Sequence, residues 1–136
     1  MRKRLFVLAT LGAVLALLTP SPADAASPHF VGTPTATRDG DTLTVRFKVA
    51  GLGNDDVTAT LTADAQCFNR GGNAPRAENK GAVLATGTFH PENGQVTASL
   101  SGSAQTDPSC NPPMSLVYAN VTLVVAGQTF VFAGTL

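Results

Sequence analysis

The stretch Thr42-Leu43-Thr44-Val45-Arg46-Phe47-Lys48-Val49 alternates strictly between polar and apolar side chains. Because successive side chains of a β-strand point to opposite faces, this order places four apolar residues on one face and four polar or charged residues on the other. The pattern predicts a half-buried strand with one solvent-facing side. It also decides the fold class, because a sheet that buries one face needs a second layer to cover it.

A second alternating run, Val57–Cys67, follows after a short polar link. Its even positions are polar, and its odd positions are Val57, Ala59, Leu61, Ala63, Ala65 and Cys67. This period of two predicts another strand with one face in the core. Cys67 is therefore expected on the core side, where a bridge can cross to the opposite sheet.

Five more segments have strand character, and no window carries a convincing amphipathic helix. In chain order they are Phe30–Arg38, Gly81–Phe89, Gln95–Leu100, Ser115–Val125 and Thr129–Leu136. Asn93-Gly94 precedes the third of them and is a strong hairpin signal. Ser115–Val125 is apolar on both faces, with Leu116, Tyr118 and Val124 opposite Val117, Ala119, Val121, Leu123 and Val125, which suits a central strand. In the last segment Phe130, Phe132 and Leu136 share a face.

About seven short strands in a chain of this length predict an all-β fold, an antiparallel β-sandwich, with a small closed barrel as the alternative. The chain has no Trp, whereas a true immunoglobulin domain has a core Trp between its two cysteines. The sandwich is therefore expected to be immunoglobulin-like in architecture only.

Residues 1–25 have the organisation of a secretory signal peptide. The basic residues Arg2-Lys3-Arg4 precede an apolar run of 14 residues, Leu5–Leu18, and Ala23-Asp24-Ala25 supplies an A-x-A cleavage site. A membrane-spanning helix needs about 20 apolar residues, so the run is too short for a retained anchor. We predict cleavage before Ala26, a single secreted extracellular β domain over residues 26–136, and no membrane attachment afterwards.

The charge balance of the mature chain argues against two classes of partner. Removal of residues 1–25 leaves six Lys and Arg against eight Asp and Glu, a formal net charge of −2. Nucleic acids and anionic membranes both require a concentrated basic face. We therefore expect neither of them as a partner.

The only two cysteines, Cys67 and Cys110, are predicted to form one disulfide. An exported protein meets an oxidising environment, where a pair of cysteines forms a disulfide more readily than a metal site or a redox centre. Each cysteine lies at the edge of a polar loop, one over residues 68–80 and the other over residues 101–114. The bridge would bring both loops to one end of the sandwich.

The two loops are the first candidate for a functional surface, because binding sites are often built on loops held by a rigid scaffold. The first loop carries three of the six basic residues of the mature chain. The alternative is that both loops are merely long connections, stiffened by proline and held by a bridge. The candidate interaction surface consists of Asn69, Arg70, Asn73, Arg76, Lys80 and Asn111.

Metal and catalytic motifs are not apparent in the sequence. Asp39-Gly40-Asp41 and Asn54-Asp55-Asp56 have oxygen ligands for calcium but lack the register of a known calcium loop, and such residues are typical of tight turns. His29 and His90 lie in unrelated settings, and no nucleophile elbow, zinc-binding pair or phosphate loop is present. We therefore predict no catalytic residues, no metal and no cofactor.

One resemblance adds to these expectations. The stretch Gly51-Leu52-Gly53-Asn54, followed by Cys67 and then by Gly71-Gly72-Asn73-Ala74-Pro75 and Asn79-Lys80, resembles a group of small secreted actinobacterial proteins. That group has no established activity, so no functional residue is carried over. The resemblance implies a secreted, single-domain β protein that works outside the cell or at its surface.

Three functions follow as hypotheses. The first is a non-enzymatic extracellular interaction or cell-envelope-associated module with an unknown extracellular or cell-surface partner. The second is a small secreted protease inhibitor, suggested by size, export and a disulfide-braced loop. The third is a hydrolytic enzyme without a recognisable motif.

Overall fold

The computed structural model describes residues 27–69, 80–104, 110 and 114–136. These ranges contain eight β-strands and no helix. The strands are β1 (His29–Phe30), β2 (Thr35–Asp39), β3 (Thr42–Ala50), β4 (Val57–Phe68), β5 (Lys80–Phe89), β6 (Val96–Ser103), β7 (Ser115–Val125) and β8 (Gln128–Val131). The predicted signal peptide, residues 1–25, lies outside the described residues.

The strands form two antiparallel sheets that pack face to face. In the first sheet, β3 pairs with β6 on one side and with β2 and β1 on the other. The second sheet has the order β5-β4-β7-β8. The chain passes between the sheets from β3 to β4, from β5 to β6 and from β6 to β7, as in an immunoglobulin-like Greek key. The predicted β-sandwich is confirmed, and in the described part of the chain the sheets do not close into a barrel.

The two alternating runs form the centre of the core, as their period predicts. Strand β3 buries its apolar side chains and leaves most of its polar ones accessible. Strand β4 does the same, with Cys67 only 1% exposed. The fully buried members of the two strands are Leu43, Val45, Val49, Ala59, Leu61 and Ala65. Opposed apolar faces of this kind supply most of the stability of a sandwich.

The single N-terminal strand expected over Phe30–Arg38 is instead two strands. Val31 N still donates to Lys48 O at 2.8 Å, but the chain then leaves the edge of β3 and returns as β2. Gly32 has a φ of 70°, and Pro34 has no amide hydrogen to donate. These residues therefore break the ladder.

The hairpin expected around Asn93-Gly94 is confirmed only as a turn. Asn93 and Gly94 have φ values of 52° and 72°, and Glu92 and Gln95 exchange two backbone hydrogen bonds of 2.8 and 3.0 Å. The flanking strands then separate, because β5 pairs with β4 in one sheet and β6 pairs with β3 in the other. The turn therefore joins the two sheets at an edge of the sandwich.

Strand β7 contains a bulge that the sequence pattern did not reveal. Its register with β4 shifts by one residue between Thr62 and Asp64. Within the shift, Asn120 has a φ of 51°, and its Nδ2 donates to Asp64 Oδ2 at 2.7 Å. A bulge of this kind reverses the side-chain alternation along a strand.

The bulge corrects the predicted faces of β7. The sequence placed Leu116 and Tyr118 opposite Val121, but all of them face the core. The buried side chains of β7 are Leu116, Tyr118, Val121, Leu123 and Val125. The predicted position of β7 inside its sheet is confirmed, since it lies between β4 and β8.

The last strand is shorter than the predicted Thr129–Leu136. Strand β8 ends at Val131, and Gly134 follows with a φ of 79°. Leu136 then rejoins the sheet and exchanges two backbone hydrogen bonds of 2.8 and 3.0 Å with Tyr118. The interruption lies beside the bulge of β7, where the partner strand also departs from regular pairing.

Candidate functional site

The predicted disulfide is present and defines one end of the sandwich. Cys67, near the end of β4, is bonded to Cys110, and their Cα atoms are 5.4 Å apart. Cys110 belongs to the connection between β6 and β7 rather than to a strand. The bridge therefore ties a strand of the second sheet to a connection between the sheets. We call this region the disulfide end: Asp39–Thr42, Cys67–Asn69, Lys80, Ser103–Ala104, Cys110 and Met114–Ser115.

The disulfide end is also held together by one buried hydroxyl group. Tyr118 is fully buried in β7, and its hydroxyl donates to Asp41 O in the turn between β2 and β3. The Tyr118 hydroxyl oxygen also accepts from Ala104 N, just beyond β6, at 3.2 Å. Arg38 of β2 donates to Leu116 O of β7. Strand β2, the turn that follows it and the residue after β6 are thus bonded to β7 of the second sheet.

We expect Tyr118 to titrate at an unusually high pH. Burial raises the pKa of its phenol above the ordinary value of 10.0, and the Asp41 charge acts in the same direction, while the Ala104 hydrogen bond and the Arg38 charge oppose them. Because the folded pKa exceeds the unfolded one, this group's contribution to stability is complete below pH 10 and is lost as the pH rises through the folded pKa.

Tyr118 is the only tyrosine in the chain, so phenolate absorbance reports this group alone. The titration midpoint of the folded protein should lie above that of the protein in denaturant. In the Tyr118→Phe variant the free energy of unfolding should fall less steeply above pH 10. Equal midpoints in the folded and denatured states would contradict the described position of the hydroxyl.

The structure describes two of the six predicted interaction residues. Asn69 is exposed immediately after β4, and Lys80 is exposed at the start of β5, opposite Gln66. Both therefore lie at the disulfide end. Arg70, Asn73, Arg76 and Asn111 lie outside the described residues.

A second candidate surface lies on the outer face of the first sheet and was missed in the sequence. A shallow groove of about 500 Å³ contains Arg46 and Lys48 of β3. Hydroxyl-bearing residues surround these two cations, namely Thr33, Thr35, Thr97 and Ser99. We call these six residues the Arg46 groove. The signal in the sequence is that Arg46 and Lys48 are two positions apart on the polar face of a strand. Residues at this spacing lie next to each other on the same face of a sheet.

The hydroxyl groups on the outer face of the first sheet differ in whether they form hydrogen bonds with each other. Near the disulfide end they pair with each other across β3 and β6, with Thr44 Oγ1 2.8 Å from Ser101 Oγ and Thr42 Oγ1 3.4 Å from Ser103 Oγ. In the Arg46 groove no side chain forms a hydrogen bond or ion pair with another described residue. These donors are therefore open to a ligand.

A third polar group is the pair formed by His90 and Asp56. His90 Nδ1 is 2.7 Å from Asp56 Oδ1, and both side chains are largely exposed. No described serine, threonine or cysteine side chain forms a hydrogen bond with His90. Across the described ranges, no three His, Cys, Asp or Glu side chains converge as a set of metal ligands.

Comparison of the chain with protein-family models, with curated proteins and with solved structures gives no match. The resemblance to small secreted actinobacterial proteins therefore stays a prediction. Across the described residues there is no helix with the length and apolar character that a membrane span requires.

Proposed function

We propose that this chain is a secreted, non-enzymatic binding module that contacts an extracellular or cell-surface partner through the disulfide end. The observation that carries the proposal is the Cys67–Cys110 bond. It ties the end of β4, where the polar 68–80 loop begins, to the second polar loop. The bond joins two segments that are far apart in the sequence, which supports a contact surface made from both.

Hydrogen bonds between the two sheets hold the scaffold at the disulfide end, which suits binding. The Tyr118 hydroxyl and the Arg38 guanidinium bond the two sheets to each other at the disulfide end. A surface held in place before binding loses less conformational entropy when a partner docks. Among the described residues, Lys80 contributes an exposed cation and Asn69 an exposed amide.

The localisation proposed here is extracellular. A disulfide between Cys67 and Cys110 is consistent with an oxidising compartment, since reducing conditions in the cytosol keep most thiols free. The N-terminal basic and apolar segments support export by the same route as other secreted proteins.

The proposal is tested by capture of a partner protein from cell-wall and extracellular-matrix preparations, and only captured protein is measured. The loop variant Arg70→Gln/Lys80→Gln removes one Arg and one Lys from the proposed surface. The control variant Arg46→Gln/Lys48→Gln removes the same two residue types from the outer face of the first sheet, outside the disulfide end. Both variants have the same net charge, so a general electrostatic effect would alter them equally.

We expect the native protein and the control variant to capture the partner equally. The loop variant should capture about tenfold less, because it loses two contacts that contribute roughly 0.7 kcal/mol each. Equal capture by the native protein and the loop variant would remove the disulfide end as the contact surface. Thermal unfolding of each variant checks that the fold is retained.

A further inference from the structure

The Arg46 groove lies on a different part of the molecule from the disulfide end and has a ligand chemistry of its own. Arg46 pairs with Thr35 of β2 and with Ser99 of β6, and Lys48 pairs with Thr97. Directly opposed residues in a sheet have Cβ atoms about 5 Å apart, so these side chains form one contiguous patch. The groove floor is therefore built by three of the four strands of the first sheet, β2, β3 and β6.

The charges of this patch are not paired within the described part of the chain. Neither Arg46 nor Lys48 forms an ion pair with a described carboxylate. On the same face, the carboxylate of β2 belongs to Asp39, which is opposite Thr42. Thr42 is four residues from Arg46 along β3, a spacing of about 13 Å, which exceeds the screening length at physiological salt. The patch therefore carries two positive charges with no ion-pair partner among the described residues, although the mature chain is slightly acidic.

The hydrogen-bond donors of the Arg46 groove determine which shape of ligand fits it. A guanidinium presents a planar fork of N–H groups, and an ammonium presents a point charge with three donors. A carboxylate has two oxygens, which a single Arg satisfies in the bidentate arrangement. A tetrahedral oxyanion has three or four oxygens, enough for Arg46, Lys48 and the neighbouring hydroxyls together.

We propose that the Arg46 groove is a binding site for a tetrahedral oxyanion, such as a phosphate group. Arg46 and Lys48 hold the charge, and the hydroxyls of Thr35, Thr97 and Ser99 donate to the remaining oxygens. The group can come from two sources, either free inorganic phosphate or the phosphodiester units of an extracellular polymer. This site is independent of the function proposed for the disulfide end.

The test is a titration of the isotope-labelled mature protein with inorganic phosphate, at constant ionic strength, followed by the backbone amide resonances. We expect saturable shifts at residues 46–48 and 97–99. Acetate at the same concentration is the comparison anion and should produce smaller shifts. The Arg46→Gln/Lys48→Gln variant should bind phosphate about tenfold or more weakly, because both charge-assisted bonds are lost. The charge-matched Arg70→Gln/Lys80→Gln variant should bind like the native protein.

A second arm distinguishes the two sources. Glycerol phosphate and poly(glycerol phosphate) are compared at equal phosphate concentration. Tighter binding of the polymer identifies the polymer as the source, because neighbouring units raise the effective concentration. Equal binding identifies the free group.

Three results would overturn the proposal. They are the absence of saturable shifts with phosphate, acetate binding as tight as phosphate binding, and undiminished phosphate binding by Arg46→Gln/Lys48→Gln. Thermal unfolding of that variant excludes loss of the fold, and both substituted side chains lie on the outer face of the sheet.

Discussion

Removal of the Cys67–Cys110 disulfide is expected to lower the free energy of unfolding by about 4 kcal/mol. The bridge closes a loop of 44 residues, because the cysteines are separated by 43 positions. Opening that loop restores conformational entropy to the unfolded chain and so favours unfolding. For a domain of this size the change corresponds to a fall in Tm of roughly 15 °C.

The variant for this test is Cys67→Ala/Cys110→Ala. Alanine is preferable to serine because Cys67 is buried and a hydroxyl there would lack a partner. Addition of a reductant should lower the Tm of the native protein towards that of the double variant and should leave the double variant unchanged. A native Tm that is insensitive to complete reduction would show that the loop closure contributes little.

Truncation of Leu61 to alanine is expected to have the second-largest effect, a loss of about 3 kcal/mol. Leu61 is fully buried in β4, where it lies opposite Ala85 of β5 and Leu123 of β7. The variant loses the transfer free energy of the removed methyl groups. It also leaves a cavity in the core, which the surrounding side chains cannot fill completely. Chemical denaturation measures the loss.

The neighbouring residue supplies the matched control. Thr62 is exposed on the opposite face of the same strand. Thr62→Ala should cost less than about 1 kcal/mol, the span of strand propensities. If the two variants lost the same stability, the inward and outward faces of β4 would be wrongly assigned, since a slip of one residue exchanges them.

The layers of the fold could be predicted because alternation is a direct consequence of strand geometry. In β3 and β4 the apolar positions of the sequence are the buried positions of the structure. The disulfide was predictable for a different reason, since a chain with two cysteines offers each of them one intramolecular partner, and the N-terminal pattern predicts an oxidising compartment. Neither inference depends on knowing how the sheets are arranged.

The sequence did not predict that β5 and β6 belong to different sheets. An Asn-Gly turn specifies a reversal of the chain but not the sheet that each strand joins. Two glycines let these strands cross closely. A Cβ on Gly102 would lie 2.8 Å from Val83 Cγ1, and one on Gly87 would lie 3.3 Å from Leu100 Cδ1. Such contacts depend on three-dimensional packing that no local pattern expresses.

The bulge in β7 was missed because Asn120 lies within an otherwise continuous β run. Its positive φ and its bond to Asp64 depend on the neighbouring strand. The Arg46 groove was missed because a polar strand face with two cations also describes an ordinary solvent-exposed face. The groove became visible only when β2 and β6 placed unpaired hydroxyls beside Arg46 and Lys48.

Peptide mapping of the protein recovered from culture medium, under non-reducing conditions, tests most directly whether a disulfide formed outside the cell gathers the two loops. We expect an N-terminus at Ala26 and a linked pair of peptides that contain Cys67 and Cys110. Reduction should separate that pair. Free thiols at both cysteines in the exported protein, or a chain that is retained in the cell with residues 1–25 attached, would contradict the proposed compartment and the proposed contact surface together.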